Sequence, residues 1–407
     1  MRGMTDTLTV GERVAWYRRR RGMTQEVLAG LVGRTVDWLG KVENNRIHLD
    51  RLSVIKALSD ALDVTVGDLI AEPSLLEWTA DSGRTTVPLL RAALMDYRQI
   101  MPLLGAQATT EPPDLGLLRS EVTDVWDAYQ QSRYGLVTAR LPSLLSKARV
   151  AERGYDGGDG LRAKVLLAMS YQAAAMILTK LGETDLAWMA SDRGLAFAQD
   201  SGNAIVVGSL FRSVAHSLLS NGRHAEAIRL THDAADYLQP GLAKASPEYL
   251  SIYGTLFLAG AMAASRNEDR GTTRTFLTEA EQTARRLGQD GNHFWTAFGP
   301  TNVAIHRVST AMELGDVQVA IDLGPQVDAS PLPKERRIRH AIEVARAYSA
   351  WNQHEEALSV LLDAERQAPE QVRHHYLSRQ LVLSWIRRER GKPSAQLAAL
   401  ARRLRVA

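Results

Sequence analysis

Five times between Leu181 and Gln353, a stretch with apolar residues at helical spacing stops at a small polar corner and a second such stretch begins. The corners are Leu181-Gly182, Asn221-Gly222, Arg266-Asn267, Leu314-Gly315 and Asn352-Gln353. Gly and Asn end helices by adopting left-handed backbone angles, so each corner predicts two helices folded back on one another. Ala187, Ala227, Ala320 and Ala357 follow four of the corners by four or five residues. A small side chain at that place lets the two helices approach. From Val87 onward no strand-like alternation persists. The repetition therefore restricts the chain to stacked antiparallel helices, each pair covering its neighbour.

The pattern is similar to the tetratricopeptide repeat, a helix-turn-helix unit of ~34 residues. The corners here lie roughly 40, 45, 48 and 38 residues apart, so the units are longer and are best described as tetratricopeptide-like. Second helices read RHAEAIRLTHDAADYL and HEEALSVLLDAERQAP, the latter ending in a proline. The last stretch, LVLSWIRRERGKPSAQLAALARRLRVA, carries seven Lys/Arg to one Glu and is expected to form the amphipathic cap that a solenoid needs. Two lapses precede the array. One, from Ala71 to Thr86, holds Pro73 and Asp81-Ser82-Gly83 and reads as a linker with one short helix around Trp78; the other is AQATTEPPD from Ala106 to Asp114. They divide the chain into an N-terminal unit of residues 1–71, a linker and connecting helix of 72–114, and a repeat domain of 115–407. A chain of 407 residues is long enough for two such cores.

The N-terminal unit centres on TQEVLAGLVGRTVDWLGKVENNR, Thr24 to Arg46. Thr24 is placed to cap a short helix with Gln25 and Glu26 in its first turn, and Leu28, Ala29 and Val32 form its apolar face. Gly33 breaks it. Thr35 caps a second helix, with Val36, Leu39 and Val42 on one side and Asp37 and Lys41 elsewhere. A helix before this pair runs from Val10 to Arg21, with Val10, Val14 and Tyr17 inward and four arginines at its end; a helix after it carries the stripe Leu52, Ile55, Leu58 and Leu62. The segment VTVGDLI, with Thr65 as its cap, adds a last turn.

These residues resemble the Cro/repressor-like, or XRE, family of DNA-binding domains. The framework is Gln25, Leu28-Ala29, Gly33, Leu39 and Glu43, and the match runs from about Val10 to Ile70. The resemblance implies a five-helix domain in which Gln25 meets a phosphate and Thr35, Val36, Asp37 and Lys41 meet base edges. Arg34, Trp38, Asn44, Asn45 and Arg46 complete the DNA-facing set, the last three as a polar corner suited to phosphate oxygens. The family also pairs an arginine of helix one with the closing Glu, here Arg18 with Glu43. The chain departs from the pattern at Asn44-Asn45, where residue-Gly is usual, at Gly40, where Ser is common, and near Leu49, where the loop Pro is absent. Gly40 should loosen the reading helix by ~1 kcal/mol relative to Ala.

Charge does not by itself announce a nucleic-acid binder. The net charge is +3, and residues 1–71 hold 11 Lys/Arg against 9 Asp/Glu, so patterning has to do the work. There are no cysteines, which excludes disulfides, thiolate metal sites and cysteine nucleophiles. Nothing resembles a signal peptide, and no apolar run approaches the ~20 residues that span a bilayer, so a cytoplasmic address is expected. No phosphate loop, HExxH or nucleophile elbow is found; neither an enzyme activity nor a metal or cofactor is expected. Gly157-Gly158-Asp159-Gly160 reads as a loop, and His374-His375 as surface residues. One segment differs in texture. Gly291 to Arg307 concentrates Phe294, Trp295 and Phe298 beside Asn302 and His306, which are four apart and share a helix face. With Tyr253 and Phe257 of the preceding unit, Phe294, Trp295, Asn302 and His306 are candidates for a ligand surface, against the alternative that they fill and brace a joint between repeats.

The combination resembles a bacterial one-component transcriptional regulator: an all-α chain with a DNA-binding helix-turn-helix domain followed by a tetratricopeptide-like helical solenoid. That likeness implies double-stranded DNA as partner, a homodimer, and a small-molecule or peptide effector on the repeats. The alternative is a protein-interaction scaffold whose repeats sequester a partner and whose N-terminal domain is a docking element. A vestigial domain should lose polar residues at Gln25, Asp37, Lys41 and Asn44, and this one has kept them.

Overall fold

The computed structural model describes residues 8–47, 49, 51–64, 68–69, 83–96, 111–389 and 392–406. Thr65, Trp78 and the lapse from Ala106 to Thr110 lie outside the described residues, and most of VTVGDLI does too. What is described is all-α: a helix-turn-helix domain and a helical solenoid.

Among the described residues, four helices of the small domain have defined bounds: α1 (Val10–Arg20), α2 (Gln25–Leu31), α3 (Val36–Glu43) and α4 (Leu52–Ala61). The caps follow from the sequence. Thr24 Oγ1 accepts from Val27 N and Thr35 Oγ1 from Trp38 N, each at 3.2 Å. Thr9 adds a capping box that sequence reading passed over: its hydroxyl accepts from Glu12 N while Glu12 Oε2 accepts from Thr9 N. Val14, Leu28, Ala29, Leu39, Ile55, Leu58 and Leu62 close the core. Val36 does not join it. One turn before Leu39, it lies past the edge of that core and is 41% exposed.

Helix α5 (Gly83–Leu94) begins inside the stretch read as linker and runs through Pro88. Val87, Leu90 and Leu94 pack it into the first repeats, so this piece belongs to the core of the array. Six helix pairs follow: α6 (Leu115–Gln130) with α7 (Tyr134–Gly154), α8 (Gly157–Lys180) with α9 (Thr184–Asp200), α10 (Ala204–Ser220) with α11 (His224–Leu238), α12 (Pro247–Arg266) with α13 (Arg270–Leu287), α14 (Pro300–Leu314) with α15 (Val317–Leu323), and α16 (Lys334–Ala350) with α17 (His354–Gln367). Every pair turns by the same device. Arg133, Glu183, Arg223, Asp269, Asp316 and Gln353 each donate their backbone N–H to a carbonyl five residues back, at 2.8–3.0 Å. The residue before each is left-handed: Ser132, Gly182, Gly222, Glu268, Gly315 and Asn352. This is the helix-ending motif that Gly or Asn usually supplies. Ser132 carries a first corner absent from the sequence reading, and at the third corner the left-handed residue is Glu268, not Asn267. Ala187, Ala227, Ala320 and Ala357 are all fully buried where paired helices meet.

Gly157–Gly160, read as a loop, instead opens α8. That helix is long and apolar enough to cross a membrane, contrary to the sequence reading, but 78% of its apolar window is buried among neighbouring helices. The chain ends in α18 (Pro369–His374), α19 (Tyr376–Arg388) and α20 (Ala395–Leu404), whose Leu397, Leu400 and Leu404 seal the last pair.

The array winds far enough for its two ends to meet. Ser132 Oγ bonds Gln371 Oε1 at 2.6 Å, Gly135 N donates to Glu370 Oε2 at 2.9 Å, and Lys180 pairs with Glu335. Gln371 Nε2 then reaches Glu335 O at 2.9 Å. The small domain rests on this array through α1 and α4. Ser53 Oγ donates to Glu268 Oε1 at 3.3 Å, Arg387 Nε pairs with Glu12 at 3.4 Å, and Tyr376 packs against the domain's core.

Candidate nucleic-acid interface

Helix α3 is positioned by its buried side and presents its other side to solvent. Leu39 and Val42 are fully buried, which fixes its rotation. Glu43 ends it and ties it down: Arg18 Nε donates to Glu43 Oε1 at 2.5 Å and Arg18 Nη2 to Oε2 at 2.8 Å. The side chains of the pair are only 10% and 3% exposed. Arg18 Nη1 also reaches Met23 O at 2.7 Å, so one guanidinium joins the end of α1, the start of α2 and the end of α3. The bond to Glu43 raises the Arg18 pKa above its ordinary value, outweighing the burial that lowers it. Gln25 Nε2 donates to Glu43 Oε2 at 2.8 Å, so Gln25, half-buried at the first turn of α2, is held in place by the same carboxylate.

Arg34, Thr35, Val36, Asp37, Lys41, Asn44 and Arg46 are exposed. Lys41 Nζ and Asp37 Oδ2 lie 2.6 Å apart, an i,i+4 pair in solvent. Such pairs contribute about 0.5 kcal/mol or less, so little holds Lys41 back from another acceptor. Arg34 stacks over the Trp38 ring at 5.6 Å, and Trp38 is half-buried against the domain core. Asn44 Nδ2 closes on Gly40 O at 2.7 Å.

Asn45 differs from its neighbours. At φ 58° it takes the left-handed position for which family members use Gly, and asparagine is among the few other residues that tolerate it. Its side chain turns inward: Thr9 Oγ1 donates to Asn45 Oδ1 at 2.6 Å, and Asn45 Nδ2 reaches Glu12 Oε1 at 3.3 Å. Of the arginines ending α1, Arg20 lies over Trp16 at 5.0 Å, and Arg21 donates to the Asp63 carbonyl and carboxylate at 2.9 and 3.0 Å.

The aromatic and polar residues singled out in the repeats are spread over several packing sites. Phe257 is buried against Phe276 at 5.7 Å between ring centroids, and Tyr253 meets Phe257 edge-on at 5.0 Å. Trp295 stacks on Trp126 of α6 at 5.4 Å and donates to Asp127 Oδ1 at 2.9 Å. Phe294, Trp295 and Ala297 all have left-handed φ angles near 50°, an arrangement that non-glycine residues rarely adopt. Asn302 is fully buried, with Nδ2 on Thr296 O at 3.4 Å and Oδ1 lacking a partner. His306 Nδ1 donates to Asn302 O at 2.8 Å; burial, with Arg336 nearby, pushes its pKa down to about 3. His374 and His375, read as surface residues, are half-buried where the array closes, and burial lowers both pKa values. Sequence reading also passed over Arg212, a buried arginine of α10 whose only signal was a charge inside the apolar run VVGSLFRSVAHSLL.

Residues 9–72 match the family model of a helix-turn-helix domain. The comparison with curated proteins finds no match. Among solved structures, the chain is similar to BtubC from P. vanneervenii, with 16% identity over 62% of this chain and 91% of that one, at a TM-score of 0.39. It is also similar to a Rap protein complexed with Competence and Sporulation Factor, with 11% identity over 89% of this chain and 99% of that one, at a TM-score of 0.47.

Proposed function

We propose that the chain is a sequence-specific DNA-binding transcriptional regulator that acts in the cytoplasm as a homodimer, with α3 entering the major groove. One observation carries the reading: α3 is locked by Arg18 and Glu43 on its inner side while Thr35, Val36, Asp37 and Lys41 stand exposed to solvent. A rigid helix with a free polar face is what base readout requires. Gln25, Asn44 and Arg46 border that face and supply phosphate contacts; Asn45 serves as the turn that presents them. Two copies are needed because one such domain offers a small footprint, whereas two give a pseudo-palindromic site and avidity. The repeats supply the dimer surface and an effector site, for which Tyr253, Phe294 and His306 remain candidate lining residues.

Binding of the full chain to its own promoter region and to random duplex, by gel shift over a range of salt, tests the reading. Lys41→Ala should weaken the preferred site about fivefold or more beyond its effect on random DNA, since a base contact is worth about 1–3 kcal/mol. Arg46→Ala should weaken both alike and flatten the salt slope by about one unit. Equal loss on both duplexes for Lys41→Ala would remove the base-contact role.

A further inference from the structure

Closure of the array gathers four cationic side chains, of which Lys180 is ion-paired, to Glu335. Arg212 comes from α10, Arg336 and Arg339 from α16, and Lys180 from the end of α8. Arg212 is only 3% exposed, and its Nε and that of Arg336 have no hydrogen-bond partner. The carboxylates in whose field these arginines lie are engaged elsewhere: Glu335 pairs with Lys180, and Glu343, beside Arg339, pairs with Arg346 at 3.2 Å. The field there is mixed: Glu335 and Glu343 raise Arg339 above its ordinary value against its burial. Burial lowers Lys180 to about 8 and Arg212 to about 10. Against a burial that would raise it, Glu335 is held well below the usual carboxylate range by Lys180, Arg336 and Arg339. Burial, together with the same cations, keeps His216, His306 and His375 neutral.

Two further buried polar atoms near these cations lack partners. Tyr134, 2% exposed, has a hydroxyl without a partner, and His375 Nδ1 is unpartnered. Arg336 and Arg339 remain partly exposed, so solvent reaches the wall they line. A buried, unpaired guanidinium is costly to a fold unless something neutralises it. Planar forks from two helices, with a phenol hydroxyl near them, match an anion with several oxygens on one centre.

We propose that this interior binds a phosphate-bearing small molecule, with Arg212, Arg336 and Arg339 as its anion clamp. The site rests on the array alone; its action as an effector of DNA binding rests on the function proposed above. Titration of the full chain with pyrophosphate by calorimetry, without DNA, tests the site independently of that function. Saturable binding is expected, weakened at least tenfold in Arg336→Gln and in Arg339→Gln. These side chains are partly exposed, so the variants should still fold. Arg212→Met should abolish the rise in melting temperature that pyrophosphate gives, while leaving the melting temperature in chloride equal or higher, because an unpaired charge is removed. No binding at matched ionic strength, or binding that Arg336→Gln and Arg339→Gln leave unchanged, overturns the proposal. So does an Arg212→Met chain that melts lower in chloride, since Arg212 would then be a structural brace.

Discussion

Glu43 accepts from Arg18 twice and from Gln25 once, so a single carboxylate sets the position of α3. Glu43→Ala should destabilise the domain by about 3–5 kcal/mol because it strands a buried guanidinium, whereas Arg18→Met with Glu43→Leu should cost much less. A double-mutant cycle on thermal unfolding checks this, and zero coupling would contradict it. Gly40 is the opposite case. A Cβ there would meet only the tip of Gln25 at 3.9 Å, an ordinary contact. Gly40→Ala should therefore raise stability by ~1 kcal/mol, measured as a higher denaturant midpoint at unchanged slope. At this scale the domain was legible, because caps, core positions and the closing Glu are local or fixed in spacing. The inward turn of Asn45 was not, since it depends on Thr9 and Glu12 arriving from more than thirty residues away.

The six corners share one hydrogen-bond geometry but not one residue, and this decided which of them the sequence disclosed. Gly182, Gly222, Gly315 and Asn352 announce a left-handed turn; Ser132 and Glu268 do the same work without announcing it. Their strain offers a test with opposite signs. Gly182→Ala should destabilise by about 1 kcal/mol, as a Cβ enters the left-handed region, while Glu268→Gly should be neutral or stabilising by up to about 1 kcal/mol. Chemical denaturation of the two variants measures both, and a same-sign result would show that the corners are not equivalent. The buried alanines were equally legible, since a small residue at a fixed offset from a corner has few other reasons to recur. Packing of α5 into the array was hidden by Gly83, which read as a linker residue but here opens a helix.

Closure of the array is a property of the whole molecule, and it places groups together that are up to 239 residues apart. No spacing rule could bring Arg212 to Arg336, so the interior was invisible in sequence although the exposed face of α3 was not. The fold also buries imidazoles in neutral form: His224 is lowered to about 4 and His306 and His374 to about 3, in each case by burial first and nearby arginines second. Unfolded imidazoles take up protons near pH 6.5, whereas these do not. The unfolded state therefore binds more protons between about pH 6.5 and 4, and stability falls as pH is lowered through that window. Each such histidine contributes a slope of up to about 1.4 kcal/mol per pH unit. The melting temperature should drop clearly from pH 7 to pH 5, and a flat profile would contradict the burial of these groups. The central claim, that α3 reads DNA sequence, is tested most directly by selecting duplexes from a randomised library with the full chain and sequencing those retained. The account predicts an enriched motif of two related half-sites about one helical turn apart, lost when Thr35 and Lys41 are both replaced by Ala. Retained duplexes no different from the starting library would contradict it.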